Sequence, residues 1–341
     1  MFNNKKYKAK DILFRYGFYL LFVLLFLFFS FATSGNFSRL INIRNIIVQA
    51  MPMAILCTGL TMVMIMGGID ISVGSVAFVS ASTSVVLIYN GIMGIMPAFL
   101  IGLLAGTFVG LVNGIAITRL RVNPLITTLA MMFMMRGVGQ YLINNSQLMI
   151  HDKAIHNFGA GMIGPIPSAI FWGAVILGGG QVLLSKTAFG RYIFAIGSNE
   201  KGASVSVINV KLIKLIAYII SALIAAIGGL MLFSRSGAVA PGLGLGAEFT
   251  AVTIVVLGGT SMAGGEGSII PATLFGALML TMVENGLVLL GANPYLYPVV
   301  RGGVMLLAMY ADAVRTKQRA FQGRRIIADE EIVQKTESCA Y

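Results

Sequence analysis

Asp70 stands in the stretch MGGIDISVGS, residues 66–75, straight after a long apolar run, so a carboxylate falls where the chain is otherwise suited to hydrocarbon. Ionisable groups at such depth serve structure or passage: they cap a broken helix, or they contact cargo or a coupling ion. Gly67, Gly68 and Gly74 favour a break, and with a helix restarting near Ser72, either Asp70 or Ser72 can accept the orphan amides of its first turn. A similar texture returns in GLGLGAEFTAV, 242–252, and in GGTSMAGGEGS, 258–268. Residues 68–74 set beside 242–248 match in small residues and one carboxylate, with Gly244, Gly246 and Glu248 in the second copy. An inverted-topology repeat would place its two halves in this way. Asn123, Arg136 and Glu284 complete the set of candidate buried polar residues, with Arg136 a partner for one of the carboxylates.

Other chemistry is poorly served. Neither glycine cluster contains the lysine of a phosphate loop, so the chain is not expected to hydrolyse ATP. His151 and His156 have only Asp152 nearby and no cysteine at metal spacing, and no serine sits in a nucleophile elbow. Cys57 lies in an apolar segment and Cys339 in the tail, too far apart in expected depth to pair. No enzyme, metal site or bound cofactor is expected.

The elements that must hold these residues are membrane helices. The chain has 341 residues, 57% hydrophobic and 11% charged, with a mean hydropathy of +0.88; too few polar side chains remain to cover a soluble particle. The net charge of +12 does not point to nucleic acid, because the bases cluster at the two ends and in particular loops. Ten spans are expected, near 16–33, 46–66, 72–89, 94–117, 124–143, 167–184, 212–233, 249–262, 268–290 and 295–311. Residues 1–15 read as a basic N-terminal segment and 312–341 as a tail, both cytoplasmic. The first apolar run, Tyr16 to Phe31, is long for a cleaved signal and reads as a retained anchor. That orientation puts Arg119, Arg121 and the basic loop 185–211 inside, where bases outnumber those outside several-fold. Gly102, Gly106 and Gly110 have the spacing that lets helices approach closely.

The inside segment 186–214 is long for a connector. Asn199 to Val207 can form a short helix started by Ser198 or Asn199, with Glu200 in its first turn. Val205, Val207, Ile208 and Val210 make an apolar patch that suits either an ordinary connector or a docking surface for a partner.

GGIDISVGS, NPLITTLAMMFMMRG at 123–137, TAFGRYIFAIGSNEKGASVSVINV at 187–210 and VLGGTSMAGGEGS at 256–268, in that order, resemble the permease subunits of ribose-type bacterial ABC importers. That resemblance implies an all-α polytopic protein of the type II importer fold, with about ten spans, in the bacterial inner membrane. It implies two permease chains forming the pathway, an extracytoplasmic sugar-binding protein, a separate ATPase that uses ATP–Mg, and a cargo of the ribose, xylose, arabinose or galactose class. By position, Ser198, Asn199, Glu200, Lys201, Gly202, Ala203, Ser204, Val205, Ser206 and Val207 correspond to the helix that couples the permease to its ATPase. Met262 and Ala263 depart slightly from the texture of related chains and carry no substrate information. The rival readings are a permease for a nucleoside, a branched-chain amino acid or a furanosyl signalling molecule, and a stand-alone secondary carrier using Asp70 or Glu284.

Overall fold

Every expected span has a helix in the computed structural model, which describes residues 3–314 together with 316 and 317. The helices are α1 (Asn3–Ala32), α2 (Leu40–Ile65), α3 (Val73–Tyr89), α4 (Ile95–Thr118), α5 (Pro124–Leu142), α6 (Lys153–Gly159), α7 (Ser168–Lys186), α8 (Ala188–Ser198), α9 (Glu200–Val205), α10 (Val210–Ser236), α11 (Ala247–Leu257), α12 (Leu274–Leu289) and α13 (297–314). Beyond 317, the expected tail to 341, with Lys335 and Cys339, lies outside the described residues. By length and composition alone, α2, α4, α7, α10 and the segment Ile269–Leu289 can each cross a membrane; α3 and α11 are shorter apolar helices.

Capping side chains fix several starts. Asn123 accepts the Leu125 amide at 2.9 Å ahead of Pro124, and Asn209 accepts that of Leu212 at 3.1 Å to open α10. At the other end of α10, Gly237 takes the left-handed conformation, φ +66°, that closes a helix without a Cβ clash.

The centre is built from α2, α3, α4 and α10, with α10 lying along the other three. From Ala50 to Ile65 every residue of α2 except Met53 is buried, as befits a helix that is apolar all round. Pro52 sits inside this helix, where packed neighbours make an interrupted ladder tolerable. The expected small-residue stripe on α4 is where neighbouring helices press in. A Cβ at Gly106 would come within 2.6 Å of the Ala226 Cβ, and one at Gly110 within 2.6 Å of the Tyr218 carbonyl oxygen. Gly110→Val is therefore expected to force α4 off α10 and to destabilise the detergent-solubilised chain by about 1–3 kcal/mol or more. A thermal melt of purified protein checks this; an unchanged midpoint would show that the α4–α10 contact can yield.

Two regions differ from expectation. Between the fifth and sixth expected spans, where only a loop would be needed, 144–166 carries α6 and strands of two tiny sheets: β1 (Leu148–Met149) pairs antiparallel with β4 (Ala238–Val239), and β2 (Met162–Ile163) with β3 (Ile166–Pro167). Ile155 of α6 is fully buried, and Gly159 abuts the backbone of α10, so this segment packs onto the bundle. The segment 186–214 is likewise mostly helical. Its α8 buries Ile193 and Ile196 on one face.

Candidate functional site

The chain between α2 and α3 leaves helix geometry at Gly67, φ +74°, and α3 restarts at Val73. Asp70 is 1% exposed in this break. Its Oδ1 accepts the Ser72 amide at 3.0 Å and the Ser72 hydroxyl at 2.6 Å, while Oδ2 accepts the Ser221 hydroxyl of α10 at 3.2 Å. Ser72 Oγ in turn accepts the Asn113 side-chain amide of α4 at 2.9 Å. Of the two capping candidates, Asp70 receives the backbone amide, and Ser72 is turned toward Asp70 and makes no cap bond of its own. A carboxylate at the N-terminus of α3 faces the positive end of the helix dipole. The network thus binds the break to α4 and α10 through groups that would be costly to bury alone.

The second glycine stretch lies against the first. The backbones of Gly74 and Gly244 approach so closely that a Cβ at Gly244, φ +68°, would stand 2.9 Å from the Gly74 carbonyl oxygen. Gly246, φ +74°, is the residue from which α11 starts, and Glu248 in its first turn is 4% exposed. With 11 residues, α11 spans roughly 16 Å, about half of a hydrocarbon core. The two helix starts paired in the sequence therefore meet in space, and their positive ends converge.

Arg136 of α5 fastens this junction. Its Nη1 donates to the Leu243 carbonyl at 2.7 Å and its Nη2 to the Gly244 carbonyl at 2.9 Å. Nη2 also lies 3.9 Å from Glu248 Oε2, and the guanidinium sits 5.0 Å from the centre of the Phe78 ring, in cation–π range. Glu248 is thus the carboxylate that Arg136 faces, and Oε2 accepts no hydrogen bond there.

Two candidates for buried polar structure sit elsewhere. Asn123 is exposed, because it caps α5 at a helix end that neighbouring helices do not cover. Glu284 is half-exposed and pairs with Arg301 of α13, which also donates to Thr250 Oγ1 at 3.0 Å. That pair joins α11, α12 and α13 at the flank of the bundle. Ser221 and Asn113 escaped the sequence reading, since a single serine or asparagine in a span has no local signature of its partner.

On the inner side by the expected orientation, a helix forms within 199–207 as expected but ends at Val205, with Ser206 and Val207 in a turn. Asn199 accepts the Gly202 amide at 2.9 Å, and Glu200 occupies the first turn and pairs with Lys214 at 2.6 Å. Ala203 is the buried residue of α9, whereas Val205 and Val207 are 88% and 105% exposed. The apolar patch is narrower than expected: Ile208 and Val210 turn in and pack on the core as the chain enters α10.

A multi-span helical bundle with two broken helices converging inside it is the architecture of a membrane permease. The chain belongs to the family described as branched-chain amino acid transport system / permease component, which it matches over residues 42–309. The ribose import permease protein RbsC of Escherichia coli K12 is 35% identical over 288 residues, covering 82% of this chain and 88% of that relative. The L-arabinose ABC transporter permease protein AraH of Azospirillum brasilense is 34% identical over 312 residues, 89% of each chain. The galactose/methyl galactoside import permease protein MglC of Salmonella typhimurium LT2 is 32% identical over 298 residues, covering 82% of this chain and 88% of that relative. No solved structure matches the chain significantly. It is an all-α polytopic permease, of a family that is not itself catalytic.

Proposed function

We propose that this chain is the membrane-spanning subunit of an ABC importer for a monosaccharide of the ribose, arabinose or galactose class, in a bacterial inner membrane with both termini cytoplasmic. The observation that carries the reading is the α9 segment, a short capped helix ending at Val205 and followed by a turn that carries Val207, with both valines presented to the outside of the chain. An apolar pair held on a rigid, exposed turn suits insertion into a groove of a partner. That partner is an ATPase subunit that holds ATP–Mg, while this chain binds no cofactor. A second permease chain completes the pathway, and an extracytoplasmic binding protein delivers the sugar. The relatives named for ribose, L-arabinose and galactose support a pentose or hexose cargo.

In this reading the broken helices are the moving parts. Helices interrupted inside a bundle can tilt at the break without exposing unsatisfied backbone to lipid, provided that side chains hold the freed groups. Asp70 does this at the start of α3, and Arg136 does it for the loop that leads into α11.

Replacing 199–207 with a Gly/Ser linker is expected to abolish co-purification of the ATPase subunit, sought among those encoded by neighbouring genes, and to reduce ATP-dependent uptake to background. A linker variant that still binds the ATPase would overturn the docking role of α9, and uptake into liposomes without any ATPase would make the chain a secondary carrier. Because the family description names branched-chain amino acids, the same assay is run with labelled leucine beside labelled pentose and hexose; transport of leucine alone would reassign the cargo.

A further inference from the structure

The loop 258–268 holds no ligand-binding cluster, yet it contains a contact that joins three separate parts of the chain. The Gly265 amide donates to the Ile65 carbonyl at 2.8 Å, at the last residue of α2. Gly197, in the last turn of α8, faces the same carbonyl, and a Cβ there would overlap it and lie 2.5 Å from the Gly265 nitrogen. A Cβ at Gly264 would stand 3.0 Å from the Gly197 oxygen and 2.9 Å from the Gly67 nitrogen, and one at Gly265 2.9 Å from Ser198 Oγ. The ends of α2 and α8 and the tip of the loop therefore meet backbone on backbone. The Met262 amide ties the same tip to Asp312 Oδ2 of α13 at 3.1 Å.

What leaves this junction matters. Two residues after Gly197 comes Asn199, the cap of α9, and from Gly67 the chain runs directly into the break that holds Asp70. A contact between backbones has no side-chain rotamers to absorb a displacement, so close-packed segments of this kind move together. Glu200 of α9 pairs with Lys214 of α10, but its side chain is 56% exposed, and an exposed pair of this sort contributes little.

We infer that Gly197, Gly264 and Gly265 form a rigid joint that delivers displacement of α9 to the α2–α3 break, so that they are positioning residues for transport. The inference rests on α9 being the ATPase-docking segment. In Gly197→Ala the docking valines are untouched while the joint is forced apart. The complex is expected to retain its ATPase in co-purification yet lose about tenfold or more in uptake, as a lost coupling between distant sites would give. Wild-type uptake by an assembled Gly197→Ala complex would overturn the joint. Should that variant fail to assemble, spin labels in otherwise wild-type complex decide. The distance between Lys201→Cys and Met262→Cys is expected to stay constant on ATP binding while that between Lys201→Cys and Ser146→Cys changes. A change in the first distance as large as in the second would overturn the joint. Wild-type chain that binds no ATPase would remove the docking reading itself and the joint with it, an outcome distinct from an assembled complex that transports without an intact joint.

Discussion

Asp70→Leu abolishes uptake, by expectation, while Asp70→Asn leaves an assembled permease. Leucine removes the acceptor of the Ser72 amide, the Ser72 hydroxyl and the Ser221 hydroxyl at once, in a position 1% exposed. Each buried donor left without a partner costs about 1–3 kcal/mol, so the loss is on the order of the whole stability margin of a folded chain. The amide oxygen of asparagine still accepts from Ser72, and its nitrogen can donate to a rotated Ser221 hydroxyl, which restores most of the network. Size-exclusion profiles and uptake measured on both variants separate the cases. Wild-type uptake by a correctly assembled leucine variant would show that the break needs no carboxylate. Both variants assembled and both inactive would point instead to a requirement for the charge itself.

The second large effect is expected at Arg136. In Arg136→Met the Leu243 and Gly244 carbonyls lose their side-chain donors, and Glu248 remains buried without the cation that faces it. Removing one partner of a buried pair typically costs about 3–5 kcal/mol. The 3.9 Å separation and the carbonyl bonds suggest that much of this belongs to the loop before α11 and a smaller part to the ion pair. A double-mutant cycle with Glu248→Gln apportions it: we expect the double variant to recover about 1 kcal/mol or more relative to additivity, because the isolated charge is gone. Strict additivity would mean that Arg136 acts through the two carbonyls alone.

Much of this was legible in the residue pattern, and the parts that were not have a common cause. The spans could be read because hydrocarbon demands long apolar runs, and the orientation expectation rests on where bases cluster. The eighth expected span runs too far: Gly258 and Gly259 end α11 and the chain turns into the joint. The break at Asp70 and its likeness to 242–248 were visible because glycine beside a carboxylate is rare in a span. That Gly74 would touch Gly244 was not visible, since contact between stretches so far apart depends on how α5 and α10 bring them together. Local pattern also failed at α8: its run contains Gly190 and Gly197, and glycine lowers helix propensity, yet burial of Ile193 and Ile196 outweighs that cost. For Asn123 and Glu284 the expectation of an interior place rests on residue type alone. A polar group near the end of a helix has water or a partner on the bundle flank available, and the structure uses both options.

The bond between Ser221 and Asp70 joins positions 151 residues apart. At a synthesis rate of about 5–20 residues per second, Ser221 leaves the ribosome roughly 8–30 s after Asp70. Throughout that interval the carboxylate has no α10 to rest against, so α2 and α3 wait as a hairpin whose polar elbow must stay wet or sheltered by the insertion machinery. Birth order thus keeps this polar elbow in need of water or shelter until α10 arrives to cover it.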